Sequence, residues 1–193
     1  MTKLLAGILG VGLLALTGCG GLQEIWEGPT AGTFKPKTVA VLPSMVGPYE
    51  GAREVSQQAL VSALRKTGRY ETVIGPDQVN AAFANKDAGD LLAAYYSKLD
   101  TTGQSDPGMA NKLGQLVQAD ALVVPKVNNW EYGRAEGDNF GKVGFGLRLI
   151  DAGTGAIVWK GRHDKVKTYM VFKPALTDIA DDLAETMVKY MPK

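Results

Sequence analysis

Few residues of this 193-residue chain have the chemistry of a nucleophile or a transition-metal ligand: it holds one cysteine, Cys19, and one histidine, His163. Cys19 could serve as a nucleophile, a metal ligand or half of an intermolecular disulfide. His163 is followed by Asp164, but successive residues of a strand point to opposite faces, so adjacency alone does not make a catalytic dyad. No G-x-S-x-G elbow supplies a serine nucleophile. A zinc site would have to be built mostly from carboxylates, which suit zinc poorly. The acidic set Asp178, Asp181, Asp182 and Glu185 has the spacing of the solvated side of an amphipathic helix, and no EF-hand spacing occurs. "GDNFGKV", residues 137–143, has a Gly-Lys pair without the P-loop spacing, and Val143 stands where a hydroxyl is needed. The expectation is a protein with no catalytic residue, no metal and no cofactor.

The flanks of Cys19 narrow its role. Met1-Thr2-Lys3 gives a positive start, and Leu4 to Leu16 carries no charge. That run is shorter than the roughly 20 apolar residues of a membrane span and has the length of a secretory h-region. Leu16, Thr17, Gly18 and Cys19 then resemble the bacterial lipobox. The resemblance implies a thioether from Cys19 to diacylglycerol, cleavage before Cys19 and an acylated new amino terminus. Two or more acyl chains give stable anchoring where one does not. Gly20 follows where an aspartate would resemble an inner-membrane retention signal, which implies the outer membrane, facing the periplasm. Residues 1–18 are thus expected as signal peptide, 19–36 as a lipidated tether and 37–193 as one globular domain. The Gly/Pro/Thr-rich tether would span about 20–25 Å as a flexible coil.

Of the 21 basic residues only Lys3 leaves with the signal peptide, so 20 face 20 acidic ones in the mature chain. That balance gives no electrostatic footprint for nucleic acid. With no second cysteine the domain depends on its core.

The elements follow from periodicity. "KTVAVLP" (37–43) reads as a buried strand, "GAREVSQQALVSALRKTG" (51–68) as a helix capped by Gly68, and "YETVIG" (70–75) as a second strand, together a right-handed βαβ unit. Helices are expected from Pro76, over 89–99 and over 109–118, with residues 100–106 as a loop. Residues 121–127 read as a strand that meets an edge or bulge at Pro125. Residues 137–142 read as a turn, and 143–150 alternate as a strand with one buried face. A tight turn at 151–155 leads to a partner strand broken at Gly161, and a helix spans 174–190. The order β-α-β-α-α-α-β-β-β-α predicts an α/β (α+β) fold, one mixed sheet of about five strands with helices packed on it.

What remains for function is a surface. Trp130, Tyr132 and Trp159 lie near strand ends and Tyr95 and Tyr96 beside a polar loop, and such aromatics are enriched in interface cores. "VAVLP", "ALVSALRKTGRYETVI", "ADALVVPKVNNW" and "LRLIDAGTGAIVWKG" together resemble a group of bacterial envelope lipoproteins: the curli-secretion lipoprotein CsgG, the penicillin-binding-protein activator LpoB, and lipoproteins with a TolB-N-terminal-like fold. The resemblance implies a non-enzymatic accessory, scaffold or activator that binds another envelope protein or itself. A curli-type pore would need segments alternating over about ten residues, and the insertion at 85–108 does not alternate. The alternative is a small-ligand site at the carboxyl ends of the first two strands, near Ser44 to Glu50.

Overall fold

The computed structural model describes residues 21–192. Leu16, Thr17, Gly18 and Cys19 lie outside them. Six strands form one mixed sheet: β1 (Glu24–Glu27), β2 (Thr38–Val41), β3 (Thr72–Ile74), β4 (Ala121–Ala135), β5 (Asp138–Asp151) and β6 (Ile157–Tyr169), in the spatial order β1-β6-β5-β4-β2-β3. β2 is parallel to β3 and β4, and the other pairings are antiparallel. The helices are α1 (Arg53–Thr67), α2 (Pro76–Ala82), α3 (Lys86–Thr102), α4 (Pro107–Val117) and α5 (Leu176–Lys189). The expected mixed sheet with packed helices is therefore present, with six strands instead of five.

The extra strand is β1, drawn from the stretch expected as a tether. It pairs with β6 from Glu24 opposite Arg162 to Glu27 opposite Trp159. Its four side chains are all exposed, so no alternation of burial marked it. The chain beyond it also lies on the domain. The Gly28 amide donates to the Val158 carbonyl, Ala31 is buried, and the Lys37 and Thr38 amides both donate to the Asp120 carboxylate at 2.9 Å.

One face of the sheet is covered by α1 and α5. Ala59, Leu60, Ala63 and Leu64 meet Ile179, Leu183 and Met187 over Val39, Val123, Phe145 and Leu147. The other face is covered by α2, α3 and α4 only over β3, β2 and the near ends of β4 to β6, around Leu122, Val124 and Ile150. Gly68, in the left-handed region at φ 61°, closes α1 as expected. α3 is longer than its apolar pattern suggested because the Asn85 side chain accepts from the Ala88 amide and starts it early. It runs to Thr102 and shortens the expected loop.

The antiparallel strands are also longer. Glu136 and Gly137, both at positive φ, make a two-residue turn, so residues 138–142 are strand and not turn. Pro125 sits where β2 has ended. Its carbonyl accepts from the Met45 amide, and its missing N–H faces the departing chain, with a bulge following between Val127 and Asn129. β6 is not broken at Gly161. The glycine makes room for a ring, since a Cβ there would lie 2.2 Å from Cη2 of Trp159.

Candidate interaction surface

The expected aromatic surface divides. Trp159 is fully buried against the α1/α5 layer, with its indole N–H unpartnered. Tyr95 is fully buried on the other face, its hydroxyl 2.9 Å from that of Ser105. Neither belongs to a partner surface. β6 carries a bulge where Ile150 pairs with Ile157 and Leu149 with Trp159, which turns Val158 to the same covered face as Trp159. Tyr95 falls four residues before the buried Leu99 on α3, a spacing that marks a core stripe. Tyr96 is half-buried and donates to the Pro43 carbonyl at 2.6 Å. Burial pushes the Tyr95 hydroxyl up to about 12 and Tyr96 well above its ordinary value. Trp130 is half-buried against the α5-side core.

Tyr132 alone of the five is exposed, and it is well partnered. Its hydroxyl donates to the Pro174 carbonyl at 2.7 Å, Lys173 Nζ stands 3.4 Å over its ring, and Tyr169 meets it edge-on at 6.4 Å. These contacts clamp both ends of the loop between β6 and α5. Within that loop Met170, Val171 and Phe172 are 90%, 80% and 90% exposed. Sequence reasoning missed them because a short apolar run ordinarily reads as core, and only the register places it beyond the reach of α5.

The uncovered sheet face over β1, β6, β5 and β4 holds a second feature. A groove of about 460 Å³ is lined by Glu24, Trp26, Lys126, Asn128, Arg148 and Lys160, among others. Trp26 is 44% exposed with Lys160 Nζ 4.6 Å over its ring. Arg162 pairs with Glu24 at 3.2 Å and Lys126 with Asp100, while Arg148 makes no ion pair among the described residues. Gly146 leaves the groove floor bare. Gly144 nearby makes room for the Asp164 carboxylate, which a Cβ would approach to 2.3 Å.

Residues weighed for chemistry are placed apart. His163 pairs with Phe145 on the α5 side, its Nδ1 buried and unpartnered, whereas Asp164 pairs with Lys142 on the open face at 3.2 Å. Asp182 is held by Lys165 and Lys167, and Glu185 by Lys66. Among the described residues no group of three or more His, Cys, Asp or Glu could hold a metal. The crevice near Ser44 to Glu50 is filled: Ser44 and Val46 are buried, the Ser56 hydroxyl donates to that of Ser44, and Arg53 spans to the Ser44 carbonyl. The insertion at 85–108 is helical, mostly α3. Among the described residues no helix is long and apolar enough to cross a membrane.

The fold is that of a class of small bacterial proteins that includes lipoproteins, and the likeness is one of fold. The chain superposes on PelC from Paraburkholderia phytofirmans, a dodecamer, with a TM-score of 0.56 at 18% identity over 88% of this chain and 95% of that one. It superposes on the lipoprotein GNA1162 from Neisseria meningitidis with a TM-score of 0.55 at 18% identity, over 80% of this chain and 99% of that one. A weaker similarity, TM-score 0.42 at 14% identity, links 69% of it to 85% of the LpoB C-terminal domain from Salmonella enterica. No protein-family model and no curated protein matches the sequence.

Proposed function

We propose that this chain is an envelope lipoprotein, anchored in the outer membrane through lipid on Cys19 and facing the periplasm. In this reading it works without chemistry of its own, as a scaffold or activator of an envelope machine for cell-wall synthesis, transport or secretion. It acts by associating with its own copies or with another envelope protein. The lipobox residues Leu16 to Cys19 support the anchor. Support for association comes from the fold shared with PelC, a dodecamer.

One observation carries the choice of a surface over a cleft. Ile25, Trp26, Val166, Met170, Val171 and Phe172, the larger part of the exposed large hydrophobics, lie on β1, β6 and the loop after β6. Among the described residues the helical side contributes only Leu116 and Tyr190. Exposed apolar residues gathered on one edge mark contact surfaces more often than scattered ones do.

The test is photo-crosslinking in cells from the full chain with a crosslinker at Trp26, alongside mass measurement of the detergent-extracted protein. Adducts to a defined envelope protein, or a ladder of its own multiples, are expected. A monomer with no adduct overturns the reading.

A further inference from the structure

We infer that the loop Met170–Phe172 is a second membrane contact, dipping into the lipid surface that holds Cys19. This rests on the anchoring reading above. The loop has no acidic residue between Tyr169 and Pro174, and its three apolar side chains are almost wholly in solvent. Its base has the composition of a membrane interface. Tyr132 and Tyr169 form an aromatic collar, and Lys173 stacks on Tyr132. Aromatic rings with a polar tip and lysines that snorkel suit the headgroup level.

The direction of the chain chooses lipid as the occupant. β1 is antiparallel to β6, with Glu24 opposite Arg162, so the residues before Glu24 enter from the end of the sheet where β6 finishes and the loop begins. Cys19 is five residues before Glu24, which limits their separation to roughly 17 Å. Met170 is eight residues beyond Arg162, roughly 25 Å along the strand. The chain bends at Gln23 and turns Leu22 onto Gly161, so the reach toward the loop is below this limit and leaves a gap of at least roughly 8 Å. Apolar side chains that sink roughly 5–10 Å below the headgroups, with the acyl chains on Cys19, bridge a gap of that order. The opposite end of the sheet is unsuited. Its turn is polar, with the Asp151 carboxylate accepting from Gly153 and Thr154.

Around the loop Arg134, Lys165, Lys167 and Lys173 stand against Glu136, Asp138 and Asp182. The charges nearly cancel, so insertion depends on the apolar side chains and is expected in zwitterionic as well as anionic bilayers.

The experiment uses the full chain, purified from membranes and reconstituted in phosphatidylcholine vesicles, with and without phosphatidylglycerol. Phe172→Cys and Thr154→Cys are each labelled with a polarity-sensitive fluorophore, and wild type carried through the same labelling reports Cys19 itself. Spin-labelled lipid is expected to quench the probe at 172 severalfold more than the probe at 154, in both lipid mixtures. Met170→Ser with Val171→Ser is expected to reduce that quenching at 172 by at least about threefold, given the apolar area removed. Equal quenching at the two positions, or none at 172, overturns the proposal. So does a probe at 172 that is shielded in lipid-free detergent in proportion to protein concentration, which would show a second copy on the loop. The mass of the mature amino terminus is measured on the same sample. An unmodified Cys19 refutes the anchoring reading, while the probe at 172 answers separately for the loop.

Discussion

Gly161→Ala and Trp159→Ala should each destabilise the protein, and together they should cost less than the sum. A Cβ at Gly161 would sit 2.2 Å from Cη2 and 2.6 Å from Cζ2 of Trp159, and 3.0 Å from Cδ1 of Leu22. The indole is fully buried and has nowhere to retreat. Overpacking of this kind costs about 1–3 kcal/mol, against a gain of about 0.5–1 kcal/mol from stiffening a strand glycine. Trp159→Ala alone empties a large site and costs about 3–5 kcal/mol. In that background the methyl added by Gly161→Ala enters vacated space, so the clash disappears and the stiffening remains. A coupling of about 1–3 kcal/mol is expected between the two sites. Urea unfolding of the four proteins, followed by far-ultraviolet circular dichroism, measures it. Because Leu22 shares the contact, Gly161→Ala should also raise amide exchange at Trp26 in β1, whose N–H faces β6, where Trp159→Ala in the same chain restores protection. Costs that add within about 0.5 kcal/mol would refute the packing account, and unchanged exchange in Gly161→Ala would separate β1 from that contact.

Three further outcomes are expected. Tyr95 is buried with its hydroxyl pushed up to about 12 from 10.0, chiefly by burial. A raised folded value gives stability that is whole below pH 10 and is lost as pH rises toward 12. Tyr95→Phe should flatten that loss, on the order of 2 kcal/mol, in alkaline unfolding followed by tyrosinate absorbance. Asp106 caps α4, and its carboxyl is lowered from 3.8, first by the hydrogen bond from Lys98 and next by the Met109 amide. Its contribution is present above pH 3.8 and is lost as pH falls through the lowered value, so hydrogen exchange in α4 should rise there, and less so in Asp106→Asn. Asp120→Ala strips the shared acceptor from the Lys37 and Thr38 amides and should cost about 1–3 kcal/mol in urea unfolding.

How far the sequence disclosed all this depended on whether a residue's neighbours in sequence were also its neighbours in space. Val143, Phe145, Leu147 and Leu149 alternate because β5 is central and one face is covered along its length, so the strand could be read directly. Gly68 marked the end of α1 for the same local reason. β1 could not be read. "EIWE" is an edge strand whose residues are all exposed, and what holds it is β6, more than 130 residues away. The aromatics divided along the same line. Tyr132 stayed on the surface because Pro174 and Lys173 come to it there, whereas Trp159 is buried because it pairs with Leu149 on the face that α1 and α5 cover. Met170 to Phe172 were the least legible, since hydrophobicity alone favours burial and their exposure comes from β6 outrunning the helix that covers it.

The docking of β1 changes what an anchor at Cys19 does. With residues 19–36 as a free coil, the domain would wander about 20–25 Å from the bilayer and meet partners in any orientation. With Glu24 already paired to Arg162 and Leu22 packed toward Trp159, only Gly20 and Gly21 separate Cys19, the position proposed for lipid, from the folded domain. If Cys19 carries lipid, a linker that short would restrict which end of the sheet faces the membrane. On the proposed anchoring, the β4–β5 and β5–β6 strands would stand up from the lipid with the groove of Trp26, Arg148 and Lys160 facing sideways, within reach of a neighbour held on the same surface. Confinement to two dimensions with a shared orientation removes much of the rotational freedom that association otherwise costs. On that reading, weak contacts along the β1–β6 edge would suffice for assembly on the membrane while failing in dilute solution. Lengthening the linker with eight Gly/Ser residues after Gly20 should accordingly weaken crosslinking from Trp26 severalfold while leaving the urea midpoint unchanged, and crosslinking that survives the insertion would mean the edge binds without help from the anchor.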